Sequence, residues 1–258
     1  MYRALIIVGV AALIVAGNAY YAYYNLPRDT SESSMNNSPV QITPIEHATT
    51  VFSWSGATLY LDPTGGAEVF AGQSSPTIVL ITDIHGDHFS ADTVEAVLGN
   101  AALIVPEAVR DELPESLVAK ASVLSNGDNI EVQGFSIEAV PMYNLPDAEN
   151  SNFHIKGRGN GYLIERDGFR LYIAGDTAGT PEMRAMHDID IALVPMNLPY
   201  TMGVDEAADA VLAFKPKVVI PYHYRGTGGL GDVSRFKQLV DAGGADITVL
   251  LLEWYPNQ

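Results

Sequence analysis

The sequence predicts an α/β (α+β) chain folded as a four-layer αββα sandwich, with two sheets face to face and helices on the outer faces. Three observations predict it. Strand-like apolar runs alternate with helical stretches through two successive halves of the chain. Three of those runs end by delivering acids or histidines into a loop. The 258 residues, 47% of them hydrophobic and 23 of them glycine, suit one sizeable core with many tight turns.

Composition narrows the chemistry. The formal net charge is -17, with 31 acids against 14 Lys and Arg, and nonspecific nucleic-acid binding needs clustered bases to neutralise phosphates. No nucleic-acid partner is expected. Cysteine is absent, so disulfides, thiolate catalysis, Cys-type zinc sites and lipoprotein attachment are excluded, and any metal must be held by His, Asp or Glu.

Residues 1–25 carry one basic residue followed by an apolar stretch from Ala4 to about Gly17, the pattern of a signal peptide or an N-terminal membrane anchor. Gly17-Asn18-Ala19 offers small residues for cleavage. Tyr20, Tyr21, Tyr23 and Tyr24 fit an aromatic belt at a lipid surface and favour an uncleaved anchor; a buried helix of the fold is the alternative. Residues 26–40, rich in Pro, Ser, Asn and charge, are expected to be a disordered linker. The folded domain is then residues 41–258, expected in the periplasm or otherwise outside the cytoplasmic membrane, tethered or released.

From Gln41 to Asp62 the pattern predicts two strands around the turn Ser55-Gly56, with His47 in the first. A lone strand histidine is usually structural. Thr77 to Ser90, TIVLITDIHGDHFS, is the stretch around which the chain is organised: a β-branched strand breaks at a loop holding Asp83, His85, Asp87 and His88. If strand geometry persists, the alternate spacing of Asp83, His85 and Asp87 points them one way, with His88 added from the turn. The bland reading is a polar loop capping a helix. Ser90 is the expected N-cap of a helix over Ala91 to Leu98.

A strand at Leu103 to Val105, a helical stretch from Glu107 to Lys120 interrupted at Pro114, and a strand near Val123 follow as βαβ-like units. Asn126-Gly127-Asp128 turns the chain into antiparallel runs over Asn129 to Gln133 and Phe135 to Met142. Tyr143 to Gly161 is a long polar loop carrying His154, Lys156 and Arg158. A local reversal of sign in so acidic a chain points to an anionic part of a substrate; a solvated, flexible loop is the alternative.

A hairpin over Tyr162 to Glu165 and Arg170 to Ile173 delivers Asp176 in Ala174-Gly175-Asp176-Thr177. Then come a helix at Glu182 to His187, a strand at Ile189 to Pro195 and a loop from Met196 to Gly203 with Asn197 and Tyr200. The helix Val204 to Phe214 has Asp205 and Glu206 in its first turn, favourable for the helix dipole. The strand Lys217 to Pro221 delivers Tyr222-His223-Tyr224-Arg225, and a helix at Val233 to Val240 and a strand at Ile247 to Trp254 finish the chain.

Asp83, His85, Asp87 and His88, with Asp176 and His223 at the other two strand ends, resemble the metallo-β-lactamase superfamily from Gln41 to the C-terminus. The family pattern is His-x-His-x-Asp-His, a later His, a metal-bridging Asp and a final His. His85, Asp87 and His88 match the loop, Asp176 the bridging acid and His223 the last ligand. His47-Ala48 with Asp62-Pro63 looks like the branch that includes ascorbate-phosphate lactonase. Two positions depart: Asp83 stands at the first His of the loop, and Tyr143-Asn144 where the later His belongs.

The resemblance implies the αββα fold of the metallo-β-lactamase type and a divalent-metal cofactor, two zinc ions, with manganese or iron admitted by an oxygen-rich second site. One position takes Asp87, His88, His223 and shared Asp176; the other takes Asp83, His85 and shared Asp176 and recruits His154. A metal-bound hydroxide then attacks an ester, lactone or phosphodiester of a small-molecule or lipid-like substrate. Asp87 and His88 are the expected catalytic residues, with Asp87 or a neighbouring acid orienting the water and shuttling a proton to the leaving group. Lys156 and Arg158 meet an anionic group, and Tyr143, Asn144, Asn197, Tyr200 and Tyr224 line the mouth. The alternative is a catalytically silent metal- or lipid-binding protein on the same fold. A further alternative is a dinucleotide-binding oxidoreductase, because Gly226 to Gly231, GTGGLG, fits G-x-G-x-x-G after a strand; otherwise these glycines are a loop beside the active site.

Overall fold

The computed structural model describes residues 38–256. The expected anchor and most of the expected linker lie outside the described residues. Two mixed sheets form the centre, and both follow one plan, antiparallel at one side and parallel at the other.

The first sheet runs in chain order through β1 (Val40–Glu46), β2 (Thr49–Trp54), β3 (Ala57–Leu61), β4 (Ile78–Leu80), β5 (Ala102–Val105) and β6 (Ala121–Val123). β1 to β3 pair antiparallel and β3 to β6 parallel. The parallel connections need crossovers. Between β3 and β4 the crossover holds a 3-10 turn at Ala67–Phe70, between β4 and β5 it is α1 (Ala91–Leu98), and between β5 and β6 it is the short helices α2 (Glu107–Glu112) and α3 (Glu115–Val118), which break at Pro114 because proline cannot donate within a helix. The second sheet has the order β15-β12-β11-β10-β9-β8-β7. Its antiparallel part is β7 (Asn129–Val132), β8 (Phe135–Met142), β9 (Gly159–Arg166) and β10 (Phe169–Ile173); its parallel part adds β11 (Ile191–Pro195), β12 (Val218–Tyr222) and β15 (Thr248–Val249). A small ribbon, β13 (Arg225–Gly226) with β14 (Gly229–Leu230), stands apart from both.

Alternation along each strand sorts the core. Val79 and Ile81 of the β4 segment pack with Val94 and Leu98 of α1 on the outer face. Ile78 and Leu80 are fully buried as well, and by alternation they face the other sheet. Between the sheets, the Trp54 ring lies 5.1 Å from Phe135 and 5.6 Å from Phe169, and Tyr162 donates its hydroxyl to Ile81 O at 2.7 Å. On the far side α4 (Pro181–Arg184) and α5 (Val204–Phe214) are followed by α6 (Val233–Ala242), and α5 packs on α6. Phe214 of α5 meets Tyr172 of β10 at 6.0 Å. The αββα sandwich expected from the alternation of elements is the observed fold.

Several expectations are corrected. His47 is not in a strand: with Ala48 it makes the turn between β1 and β2, at φ 55°, so Gln41 to Asp62 holds three strands. Strand geometry stops at Leu80, and His88 N and Phe89 N both donate to His85 O at 2.9 Å. That turn splits Asp83 and His85 from Asp87 and His88 rather than aligning them. The last strand shrinks to Thr248–Val249, because beyond it only Leu250 N still reaches β12, at Val219 O.

The GTGGLG glycines do not open a phosphate-binding helix; they form the β13–β14 ribbon. A Cβ on Gly226 falls 1.8 Å from Leu198 O and one on Gly231 2.8 Å from Met196 O, so these glycines serve backbone packing against the 196–198 loop.

The membrane anchor and extracytoplasmic location expected from the apolar N-terminus are also corrected: among the described residues, no helix is long and apolar enough to cross a membrane. α5, with 11 residues, spans roughly 16 Å, against about 30 Å of hydrocarbon.

Candidate metal centre

Parallel strands carry the side chains of the site at their C-terminal ends. β3 delivers Asp62, β4 Asp83 to His88, β10 Asp176, β11 Asn197 and β12 His223, while the β1–β2 turn brings His47 and the 143–158 loop brings His154. Asp62, His223 and His47 sit at φ 46°, 48° and 55°. The left-handed region costs a non-glycine residue about 1–2 kcal/mol, and here it turns each side chain out of its element.

Five of the six histidines gather with three aspartates in three groups: His47, Asp87 and His223; His88, Asp176 and His223; and Asp83, His85 and His154. In the second group His88 Nε2 is 3.0 Å from His223 Nε2 and 3.4 Å from Asp176 Oδ2, and His223 Nε2 is 3.1 Å from Asp176 Oδ1. Asp87 joins through Oδ2, 3.5 Å from His223 Nε2 and 3.2 Å from His47 Nε2, and through Oδ1, 4.0 Å from His88 Nε2. In the third group Asp83 Oδ2 is 2.7 Å from His85 Nδ1 and 3.8 Å from His154 Nε2. Asp176 Oδ2 lies 3.2 Å from His154 Nε2, so one carboxylate touches both sides.

These separations fit a cation. Ligand atoms about 2.0–2.1 Å from a tetrahedral ion stand about 3.3 Å from one another. Buried polar atoms without hydrogen-bond partners point the same way: Asp176 Oδ1 makes no hydrogen bond although it is close to His223, because two acceptors that share an ion do not need a proton between them. The donor set is nitrogen and carboxylate oxygen only, which suits a divalent metal.

Electrostatics follow the same arrangement. Burial opposes ionisation of Asp176, yet His223 and His88 hold its carboxyl well below the usual range. Burial likewise opposes ionisation of Asp87, and His47, His88 and His223 outweigh it. Burial should drive the proton off His88, but Asp176 and Asp62 on either side hold its pKa well above the usual value. For His223 burial wins and the pKa falls.

Asp62 is the residue most easily missed. It is fully buried, accepts Thr82 N at 2.7 Å and Thr82 Oγ at 2.6 Å, and meets His88 Nδ1 at 2.8 Å. With His88 as a metal ligand, that contact would keep the proton on Nδ1 and leave the Nε2 lone pair for the cluster, the carboxylate–histidine pairing typical of metal ligands. His47 was also passed over; its Nδ1 is 2.6 Å from Tyr255 Oη. The signal for both was their pairing as His47-Ala48 and Asp62-Pro63.

The remaining expected residues divide. Asn197 Nδ2 is 3.3 Å from His223 Nε2, and Asn197 and Tyr200 line the cleft. Tyr143, Asn144 and Tyr224 are buried and build its support: Tyr143 Oη donates to Glu182 at 2.8 Å, Asn144 Nδ2 to Tyr200 O at 2.7 Å, and the Tyr224 ring packs on Tyr255 at 4.9 Å. Lys156 pairs with Glu182 at 2.5 Å, and Arg158 with Asp83 at 3.3 Å. The cleft over the cluster measures about 580 Å³ and is lined also by Phe153, Arg225, Gly226 and Thr227.

Comparison with known proteins agrees with this geometry. Residues 41–223 match the family model described as "Beta-lactamase superfamily domain". A UPF0173 metal-dependent hydrolase of Methanopyrus kandleri is 30% identical over 224 residues, 83% of this chain and 97% of that protein. One from Thermococcus onnurineus is 36% identical over 63% of this chain and 74% of its own length. A solved structure from Parabacteroides distasonis superposes with TM-score 0.72 at 35% identity, covering 83% of this chain and 94% of that one. Igni18, a metallo hydrolase of Ignicoccus hospitalis, shares the fold at TM-score 0.70 and 24% identity, over 83% and 95% of the two chains. These descriptions are coarser than the ascorbate-phosphate lactonase branch expected from His47-Ala48 and Asp62-Pro63.

Proposed function

From the premise that the chain belongs to the β-lactamase superfamily domain family, we propose that it is a metal-dependent hydrolase cleaving an ester, lactone or phosphodiester bond of a small molecule. The domain that does so spans residues 41–258. The single observation that carries this reading is Asp176, whose Oδ1 faces His223 and whose Oδ2 faces both His88 and His154.

Asp87, His88, His223 and Asp176 would hold one divalent cation, and Asp83, His85, His154 and Asp176 a second. Each position offers two histidines and two carboxylates, a set that suits zinc and also admits manganese or iron. A cation bound there supplies Lewis acidity and lowers the pKa of a coordinated water from 15.7 to roughly 7. Asp83 takes the place of an expected histidine and adds a negative charge, which Arg158 offsets at 3.3–3.4 Å. His154 supplies from the long loop the nitrogen that Tyr143-Asn144 lacks. Asp87, side chain 40% exposed at the cleft, is the group that takes a proton from the attacking water and gives it to the leaving group. His88 serves as ligand, its ring fixed by Asp62. Asn197 and Tyr200 contact substrate.

A metal-replete screen of acyl and phosphoryl substrates, with and without chelator, tests this reading. Chelator-sensitive turnover that Asp176→Asn removes is the expected result. A metal-loaded chain that cleaves none of them would be the silent metal-binding protein instead.

A further inference from the structure

Lys156 and Arg158, the cations expected from sequence to meet an anionic group, each already hold a carboxylate. Lys156 Nζ is 2.5 Å from Glu182 Oε1. Arg158 reaches Asp83 through both Nε and its Nη2, at 3.4 and 3.3 Å. Neither lines the cleft over the metal-binding cluster. Arg225 does.

Arg225 opens the β13–β14 ribbon directly after the strand that delivers His223. Its guanidinium carbon lies 4.9 Å from the centre of the Tyr255 ring, and its nearest carboxylate, Glu46, stands 3.9 Å away and is largely exposed. Such a contact is loose enough to leave fork-like donors for a ligand. The position of Arg225 is fixed from below. Gly226 presses on the Leu198 backbone so closely that a Cβ there lies 1.8 Å from Leu198 O, and Tyr255 Oη is 2.6 Å from His47. Elsewhere in the cleft, the Phe153 ring is 40% exposed and meets Tyr200 edge to face at 5.2 Å. An exposed phenylalanine packed on a half-buried tyrosine beside a metal-binding cluster is a surface for an apolar group.

We propose that Arg225 is a specificity-determining residue that binds an anionic substituent of the substrate, a carboxylate or phosphate, while Phe153 and Tyr200 hold the substrate's apolar part. The substrate class is therefore a small amphiphilic anion whose scissile bond lies over Asp176. This rests on the hydrolase reading above, but the anion site itself does not require turnover. In a chain of net charge -17, Arg225 is the one lysine or arginine among the described residues lining the cleft, and its fixed positive charge beside the metal ligands helps decide which substrates enter. Arginine suits this task because its planar fork matches carboxylate and phosphate alike.

Two arms test the proposal on metal-replete wild type, Arg225→Met and Arg225→Lys. Calorimetric titration with 3-phenylpropanoate and with phenylphosphonate measures binding. Affinity is expected to fall at least tenfold in Arg225→Met and less in Arg225→Lys, and the probe with the larger fall identifies carboxylate or phosphate. Equal affinity in Arg225→Met and wild type, or no binding to wild type, overturns the proposal. The second arm takes the ratio of kcat/KM for mono-4-nitrophenyl glutarate to that for 4-nitrophenyl butyrate. A fall of at least tenfold, carried by KM, is expected in Arg225→Met; an unchanged ratio overturns the proposal. Arg225→Gln is the second neutral variant should Arg225→Met not fold. Arg225-dependent binding with no chelator-sensitive turnover of any substrate in the acyl and phosphoryl screen would sink the hydrolase reading and leave the anion site standing.

Discussion

Tyr255 Oη lies 2.6 Å from His47 Nδ1, and the opposite nitrogen of the same ring is 3.2 Å from Asp87 Oδ2. The C-terminal segment thereby reaches the metal-binding cluster across 208 positions of sequence. Burial holds the Tyr255 hydroxyl well above its usual pKa, so it stays protonated, and donation to Nδ1 leaves the His47 Nε2 proton for Asp87.

Tyr255→Phe is expected to lower kcat/KM about tenfold and to cost about 1 kcal/mol of stability, the net worth of one partly buried hydrogen bond. Urea unfolding and steady-state kinetics check the two effects separately. A variant equal to wild type in both would remove Tyr255 from the account.

Asp62→Asn should weaken metal binding by about 10–100-fold, the usual effect of losing the carboxylate behind a ligating histidine. Asparagine has one acceptor oxygen where Asp62 uses two, so if that oxygen keeps Thr82 N the His88 ring loses the acceptor that holds its proton on Nδ1. Competition with a chromogenic chelator measures this, and unchanged affinity would contradict the role given to Asp62.

Metal binding should release protons near neutral pH. In the metal-free chain Asp176 and Asp62 hold the His88 pKa well above the usual value, so the ring enters the reaction charged, and a ligating nitrogen must give up that charge. Affinity therefore falls as pH falls, more steeply than for an unperturbed histidine. Calorimetry in buffers of different ionisation enthalpy counts the protons; a buffer-independent heat would contradict the assignment of Nε2 as ligand.

Gly226→Ala should cost about 3 kcal/mol, because the new methyl group meets a rigid carbonyl rather than a flexible side chain. Gly228→Ala is the control, since a Cβ there meets nothing within 4 Å. A thermal unfolding comparison of the two separates packing from loop flexibility.

The layers were legible because strand alternation and helix periodicity are local. β4 and α1, with Ser90 accepting Thr93 N at 3.3 Å, follow directly from that pattern. The loop from Asp83 to His88 was legible too, its ligands being adjacent in the chain. Local spacing failed where the turn at His85 divided those ligands between two groups. His47 looked structural for the same reason: a histidine shows no partner in sequence, and its neighbours Asp87, His223 and Tyr255 arrive from three other elements. Sign reversal around Lys156 and Arg158 was read correctly as charge, but Glu182 and Asp83, the acids that meet them, are remote in sequence. Pairing in space decides whether a cation remains for a ligand.

Metal content of the purified chain after incubation with zinc and gel filtration tests the central claim most directly. Two ligand groups joined by Asp176 predict about two equivalents per chain, falling to one or fewer in Asp176→Asn. Fewer than about half an equivalent in the wild type would contradict the metal centre, because ligand groups this well formed should hold their ions through mild preparation.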